Sequence, residues 1–67
     1  VIFVHVQGCA TSKAQKEQSS IHYRLGVSYL NEGDSTSALR ELMEAEKFSK
    51  KDPQISNALG LAYYKKG

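Results

Sequence analysis

The chain has 67 residues with nine basic and seven acidic side chains, and its formal net charge is +2 at pH 7. This length allows at most one small domain, and the single cysteine excludes an internal disulfide bond. The charges are scattered, and no Cys and His residues have zinc-ligand spacing. The sequence therefore indicates no nucleic-acid surface, no polybasic membrane patch and no structural metal site.

The N-terminal run VIFVHV is apolar, but it is much shorter than the roughly 20 residues that cross a bilayer. One interpretation is that residues 1–8 are the C-terminal part of a secretory signal. The other is a buried strand followed by an ordinary free thiol at Cys9. Six apolar residues do not distinguish the two by periodicity.

The four residues Val6-Gln7-Gly8-Cys9 resemble the lipobox of bacterial lipoproteins. In that family a branched apolar residue stands three positions before the cysteine and a small residue stands one before it. Val6 and Gly8 match this pattern, whereas Gln7 departs from it. The resemblance implies lipidation of Cys9 and a membrane attachment through that lipid. Ala10 after the cysteine implies, by the same resemblance, the periplasmic face of the bacterial outer membrane.

The stretch TSKAQKEQSS that follows contains no large apolar residue. Such a composition is typical of a flexible, solvated segment. We therefore expect residues 9–19 to be a lipidated cysteine and a tether, and residues 20–67 to be the folded part.

Helix one is expected from about Ser20 to Glu32, with Ser19 or Ser20 as its N-cap. Gly26 lies in the middle of this helix, where it costs about 1 kcal/mol relative to alanine. That cost indicates the close approach of a second helix. The apolar or aromatic positions recur every three or four residues, as one helix face requires; they are His22, Leu25, Tyr29 and Leu30.

Helix two is expected from about Ser35 to Ser49, after a turn in which Gly33 adopts the left-handed conformation and Asp34 caps the new helix. Its packing face consists of Ala38, Leu42, Ala45 and Phe48, with Leu39 and Met43 beside it. Helix three opens at Asp52-Pro53, which combine a cap with a favoured first helical residue. Its packing face consists of Ile55, Leu59, Ala62 and Tyr63, with Gly60 in the place of Gly26.

The sequence Leu-Gly-Val-Ser-Tyr at 25–29 returns 34 residues later as Leu-Gly-Leu-Ala-Tyr at 59–63. This period, and the order of the residues, are similar to those of the tetratricopeptide repeat family. The matching positions of the first copy are His22, Leu25, Gly26, Tyr29, Ala38, Leu42 and Ala45. His22 replaces the usual tryptophan, and Pro53 lies three residues later than the usual proline. The resemblance implies an all-α helix-turn-helix solenoid of about one and a third repeats, over 20–52 and 53–67.

In this family the first helix of each pair lines a concave groove that binds protein partners. The resemblance implies that the groove-facing positions are Ser20, Tyr23, Val27, Leu30, Asn31, Gln54, Asn57, Leu61, Tyr64 and Lys65. It implies that the helix-packing positions are Leu25, Gly26, Tyr29, Ala38, Leu42, Ala45, Leu59, Gly60 and Tyr63. Packing against a neighbouring helix is the alternative role for Tyr23 and Tyr64. Because Tyr23 and Val27 stand where some members carry Lys and Asn, we expect no clamp for a C-terminal carboxylate.

No catalytic constellation is apparent, so we expect no enzyme activity, no cofactor, no metal and no small-molecule substrate. His5 is isolated, and His22 is expected to pack at the helix edge. Glu41, Glu44 and Glu46 are expected on a solvated face.

The order of lipobox, tether and repeats resembles that of the type IV pilus biogenesis and stability lipoproteins (pilotins), as does the run NALGLAYY at 57–64. Those proteins help the secretin pore subunit to localise and multimerise. The resemblance implies a protein partner, with an outer-membrane secretin subunit as the candidate. The alternatives are the repeat region of a larger cell-envelope enzyme, and a soluble cytoplasmic scaffold in which residues 1–9 are not a signal.

Both ends of the sequence lead us to expect part of a longer protein, since Val1 is not an initiator methionine and Gly67 falls halfway through a repeat. A short natural product is the alternative. Repeats of this kind bury their apolar faces on neighbours, and about three are usually needed for stability. We therefore expect the isolated 67-residue chain to be only partly helical in water.

Overall fold

The structure is a computed structural model that describes the backbone of residues 3–67 and the side chains of residues 13–67. Within these residues the chain is all-α, with three helices and no strand: α1 (Phe3–Glu32), α2 (Ser35–Phe48) and α3 (Pro53–Lys66). The all-α class is confirmed. Cys9, the expected lipidation site, lies outside the residues whose side chains are described.

The first helix is longer than the sequence pattern predicted. The predicted start at Ser20 is wrong, because α1 already includes residues 13–19 and begins at Phe3. The part of the expected tether with described side chains is thus helical, although residues 13–18 are exposed. The physical reason is intrinsic propensity, since Ala, Gln, Lys and Glu all favour helix and together form AQKEQ. Ser19 is consequently inside the helix and is not its cap.

The predicted turn at Gly33 and the predicted caps at Asp34 and Asp52 are confirmed. Gly33 has φ 86°, and Asp34 Oδ1 accepts a 3.0 Å hydrogen bond from the backbone N–H of Ser37. Asp52 Oδ1 accepts a 2.9 Å hydrogen bond from the backbone N–H of Gln54 in the same way. These bonds satisfy backbone donors that have no partner inside the helix, so they set where α2 and α3 begin. The last residue of α2 is Phe48, one residue before the predicted end.

α1 and α2 lie antiparallel against each other. The Ser19 hydroxyl donates a 3.1 Å hydrogen bond to the carbonyl oxygen of Ala45. Further along α1, a Cβ built on Gly26 would lie 2.6 Å from Cγ of Leu42, earlier in α2. Later residues of α1 therefore meet earlier residues of α2. The missing side chain at Gly26 leaves the space that Leu42, which is fully buried, now fills.

α2 packs on both other helices and forms the centre of the core. The buried apolar residues are Leu30, Ala38, Leu39, Leu42, Ala45, Ile55, Ala58, Leu59 and Ala62, and Tyr23 and Tyr29 pack against them. At the far end of the α2–α3 pair, Nζ of Lys66 donates a 3.1 Å hydrogen bond to Oγ1 of Thr36. α3 therefore runs antiparallel to α2, with its C-terminus beside the start of α2.

Three positions expected to pack between helices do not do so within the described residues. Leu25 is 43% exposed and Tyr63 is 56% exposed, and a Cβ on Gly60 would have no neighbour within 4 Å. The reason is their place in the order of helices. Leu59 on α3 is buried because the preceding helix, α2, covers it. Leu25 holds the equivalent position on α1, and the structure describes no helix that precedes α1 and could cover it. Likewise, α2 covers Gly26, but no described helix covers Gly60.

Candidate interaction groove

A groove of about 320 Å³ opens between α1 and α3. Its lining comes from two turns of each helix; the residues are Tyr23, Val27, Leu30, Asn31, Gln54, Asn57, Ala58 and Leu61. The groove is therefore built only from the first helix of the hairpin and from the helix that repeats its sequence.

The structure brings most of the predicted groove positions together on this surface. The predicted residues that line it are Tyr23, Val27, Leu30, Asn31, Gln54, Asn57 and Leu61. Leu30 is 7% exposed and also belongs to the core, so it forms the floor of the groove. Tyr64 and Lys65 do not line the groove, and Tyr64 points to solvent with 82% of its surface exposed. Ala58 joins the lining although the sequence pattern did not predict it.

The groove lining combines apolar side chains with three carboxamide groups. Val27, Leu30, Ala58 and Leu61 supply the apolar surface, and no Asp, Glu, Lys or Arg of the described residues lines it. A carboxamide both donates and accepts hydrogen bonds, as a peptide group does. The carboxamides belong to Asn31, Gln54 and Asn57. Such a surface suits a polypeptide, which presents apolar side chains and a main chain with both donors and acceptors.

A second, polar cavity of about 240 Å³ adjoins the groove at the start of α3. Its lining residues are Lys16, Ser19, Ser20, Tyr23, Ser49, Asp52, Gln54 and Ile55. Tyr23 and Gln54 line both spaces, so the two cavities are neighbours. Ser20, which was predicted to face the groove, lines this cavity instead.

The sequence interpretation missed Lys16 and Ser19 as lining residues because their segment was assigned to a tether. A signal for them was present: Lys16, Ser19 or Ser20, and Tyr23 are spaced three or four residues apart, as on one helix face. The helix-favouring run AQKEQ supported the same conclusion. Ser49 and Asp52 are contributed by the α2–α3 connection, and their proximity to α1 depends on tertiary packing.

His22 does not line the groove and instead contacts α2, where it has a structural role. Its Nδ1 is 2.8 Å from Oε1 of Glu41. Its ring is stacked on Phe48 with a centroid distance of 6.1 Å and an interplanar angle of 1°. Glu41 is therefore partly buried between the helices and is not on a solvated face as expected. Glu44 remains at the surface, where a hydrogen bond from Lys47 lowers the pKa of its carboxyl group.

Among residues 13–67, no group of three or more His, Cys, Asp and Glu side chains is placed to hold a metal ion. Over the same part of the chain, no helix is both long enough and apolar enough to cross a membrane. Comparison with protein-family models, with curated proteins and with solved structures finds no significant match for this chain. Its function is therefore inferred from the groove and from the repeat in the sequence.

Proposed function

We propose that this chain is a protein–protein interaction scaffold of the tetratricopeptide type, which holds a segment of a partner protein in the groove between α1 and α3. Two features support the repeat assignment. The sequence of α1 returns in α3 after 34 residues. The contact of Gly26 with Leu42 and Ala38 also joins the positions at which the family resemblance implies close helix packing.

The single observation that carries the proposal is the composition of the groove. Seven of the ten positions that the resemblance assigns to partner binding line one groove, which combines apolar side chains with three carboxamides. Partly exposed apolar residues in a concave site favour burial against a ligand. Leu61 is 46% exposed there, so binding of a partner can bury apolar surface of its side chain.

Site-specific photo-crosslinking in the native cell tests the groove. A benzophenone amino acid replaces Leu61 in the groove and, as the matched control, Arg40, which is exposed on α2 away from the groove. We expect a discrete crosslinked partner from position 61 and not from position 40. Equal crosslinking from both positions would show that the groove is not a preferred binding surface.

The proposed location rests on the lipobox resemblance at residues 6–10, and the proposed partner rests on the resemblance to the pilotins in the order of segments and in the run at 57–64. We propose lipid attachment at Cys9, a position on the periplasmic face of the outer membrane, and a pilus secretin subunit as the partner. The lipid is tested by labelling cells with a palmitate analogue and comparing the wild type with Cys9→Ser. Equal incorporation would rule out the anchor. Mass spectrometry of the species crosslinked at position 61 tests the secretin assignment.

A further inference from the structure

The groove between α1 and α3 has an uncharged lining. The chain carries nine basic and seven acidic side chains, yet none of those among residues 13–67 lines the groove. Lys65, the one charged residue that the repeat pattern assigned to the groove, lies outside its lining. A charged group that enters the groove therefore loses water and finds no group of opposite charge in the lining.

The apolar part of the lining lies between two ends that carry carboxamides. α1 and α3 run parallel, since each is antiparallel to α2. Tyr23 and Gln54 also line the neighbouring cavity at the start of α3, so they mark one end of the groove. Asn31 marks the other end, because it lies about 12 Å further along α1 than Tyr23 at 1.5 Å of rise per residue. Val27 and Leu30 fall between these ends.

The carboxamides at the two ends are available to a ligand. Asn31, Gln54 and Asn57 are exposed, and none of their side chains takes part in a hydrogen bond among residues 13–67. A carboxamide matches both the donor and the acceptor of a peptide group. The ends of the groove therefore suit the main chain of a ligand, and its middle suits an apolar side chain.

The length of the groove limits the ligand to a short segment. An extended peptide advances roughly 3.3 Å per residue, so about four residues span the distance between the two ends. Successive side chains of such a peptide point to opposite faces, so a central side chain enters the groove while its two neighbours point away. One aliphatic side chain, with peptide groups on either side of it, thus fills the apolar middle and reaches both ends.

We propose that the groove binds an extended segment of a partner protein with an uncharged aliphatic side chain at its centre, and that it rejects a charged side chain of either sign there. The aliphatic group packs on Val27, Leu30 and Leu61. The carboxamides of Asn31 and Asn57 bond to the main chain on either side of it. This inference rests on the proposed function and specifies the chemistry of its partner.

The probe is a capped heptapeptide of serine and threonine with leucine at its centre. Three companion peptides carry glutamine, glutamate or lysine in place of the leucine. Each is titrated into the ¹⁵N-labelled chain and followed by amide chemical shifts, with trimethylamine N-oxide added to keep the helices formed. We expect the leucine peptide to bind about tenfold more tightly than the glutamate and lysine peptides, because they lose the burial of leucine and leave a charge unpaired. The glutamine peptide should lie between these extremes.

Matched protein variants assign the selectivity to the lining. Asn57→Lys places a cation in the groove and should shift the preference towards glutamate over lysine by about two- to fivefold, the range of an exposed ion pair. Ser56→Lys adds the same charge at the adjacent exposed position outside the lining and should shift it less. An equal shift in both variants would show that the charge does not act inside the groove, and the assigned site would be wrong.

Methylation of the peptide nitrogens on either side of the leucine tests the main-chain contact. It removes two donors and should weaken binding to the wild type, and by less to the double variant Asn31→Ala, Asn57→Ala. The same loss in both proteins would show that these carboxamides do not bond to the main chain of the ligand.

The outcomes separate this inference from the proposed function. If the glutamine, glutamate or lysine peptide shifts the groove resonances and binds as tightly as the leucine peptide, the aliphatic uncharged partner is wrong and the groove remains a binding site. If none of the peptides shifts resonances of residues such as Val27, Asn57 and Leu61, both the inference and the peptide-binding groove fail.

Discussion

At the scale of single residues, two glycines that are 34 residues apart differ in packing: Gly26 is closely packed against another helix, and Gly60 is not. A Cβ on Gly26 would lie 2.6 Å from Cγ and 2.7 Å from Cδ2 of Leu42, and 3.4 Å from the carbonyl oxygen of Ala38. A Cβ on Gly60 would meet nothing within 4 Å. Because both glycines are inside helices, alanine improves helix propensity equally at each. Any difference between the two substitutions therefore reports packing.

We expect Gly60→Ala to raise the free energy of unfolding by up to about 1 kcal/mol, since it only gains helix propensity. Gly26→Ala gains the same amount, but the new methyl group overlaps buried Leu42, and such overpacking costs about 1–3 kcal/mol. We expect a net loss of up to about 2 kcal/mol. Urea titration with trimethylamine N-oxide, followed by circular dichroism, measures both. Stabilisation by Gly26→Ala would contradict the observed contact between α1 and α2.

At the scale of elements, the boundaries of α2 depend on a few local groups. Its start is set by the cap at Asp34, and its end by Ser49, whose backbone N–H donates to the carbonyl oxygen of Ala45. The same carbonyl oxygen of Ala45 also accepts a hydrogen bond from the hydroxyl group of Ser19 in α1. The last turn of α2 is thus hydrogen-bonded to Ser19 of α1, a residue that the sequence analysis had assigned to a tether.

The cap at Asp34 gives α2 a dependence on pH. Hydrogen bonds from the Ser37 side chain, and then from its backbone, hold the pKa of the Asp34 carboxyl group below its ordinary value. A lowered folded-state pKa means that the stabilisation is complete above the unfolded-state pKa and is lost as the pH falls through the lower folded-state pKa. We therefore expect the wild type to lose helix content below about pH 4.

Asp34→Asn is the matched variant, because asparagine caps a helix about as well but does not titrate. We expect its acid-induced loss of helix, measured by circular dichroism from pH 6 to pH 2, to be smaller than that of the wild type. Since Glu44 titrates in both proteins, the difference between the curves isolates Asp34. Superimposable curves would show that this cap does not contribute to acid sensitivity.

At the scale of the whole molecule, apolar surface remains uncovered on both sides of the three-helix stack. Ile21 and Leu25 are 47% and 43% exposed on α1, and Tyr63 and Tyr64 are 56% and 82% exposed on α3. Each described helix packs on its neighbour in the chain, so the two outer faces have no helix against them among residues 13–67. Burial of such faces supplies much of the stability of stacked repeats.

We expect the isolated chain of 67 residues to be only partly helical in water and to melt over a broad temperature range. The buried core is small and includes several alanines, so little apolar area opposes the conformational entropy of the chain. Circular dichroism with analytical ultracentrifugation provides the measurement. A cooperative melt with high helicity in a proven monomer would contradict this expectation.

The sequence by itself determined the helical class, the turn at Gly33, and the caps at Asp34 and Asp52. These features depend on local conformational preferences and on residue spacing, which can be read directly from the chain. Tertiary structure decided the length of α1, the burial of Ser19 and Glu41, and the exposure of Leu25 and Tyr63. It also placed Lys16 beside the α2–α3 connection. Those properties depend on which helix lies against which face, and the spacing of residues within one helix does not contain that information.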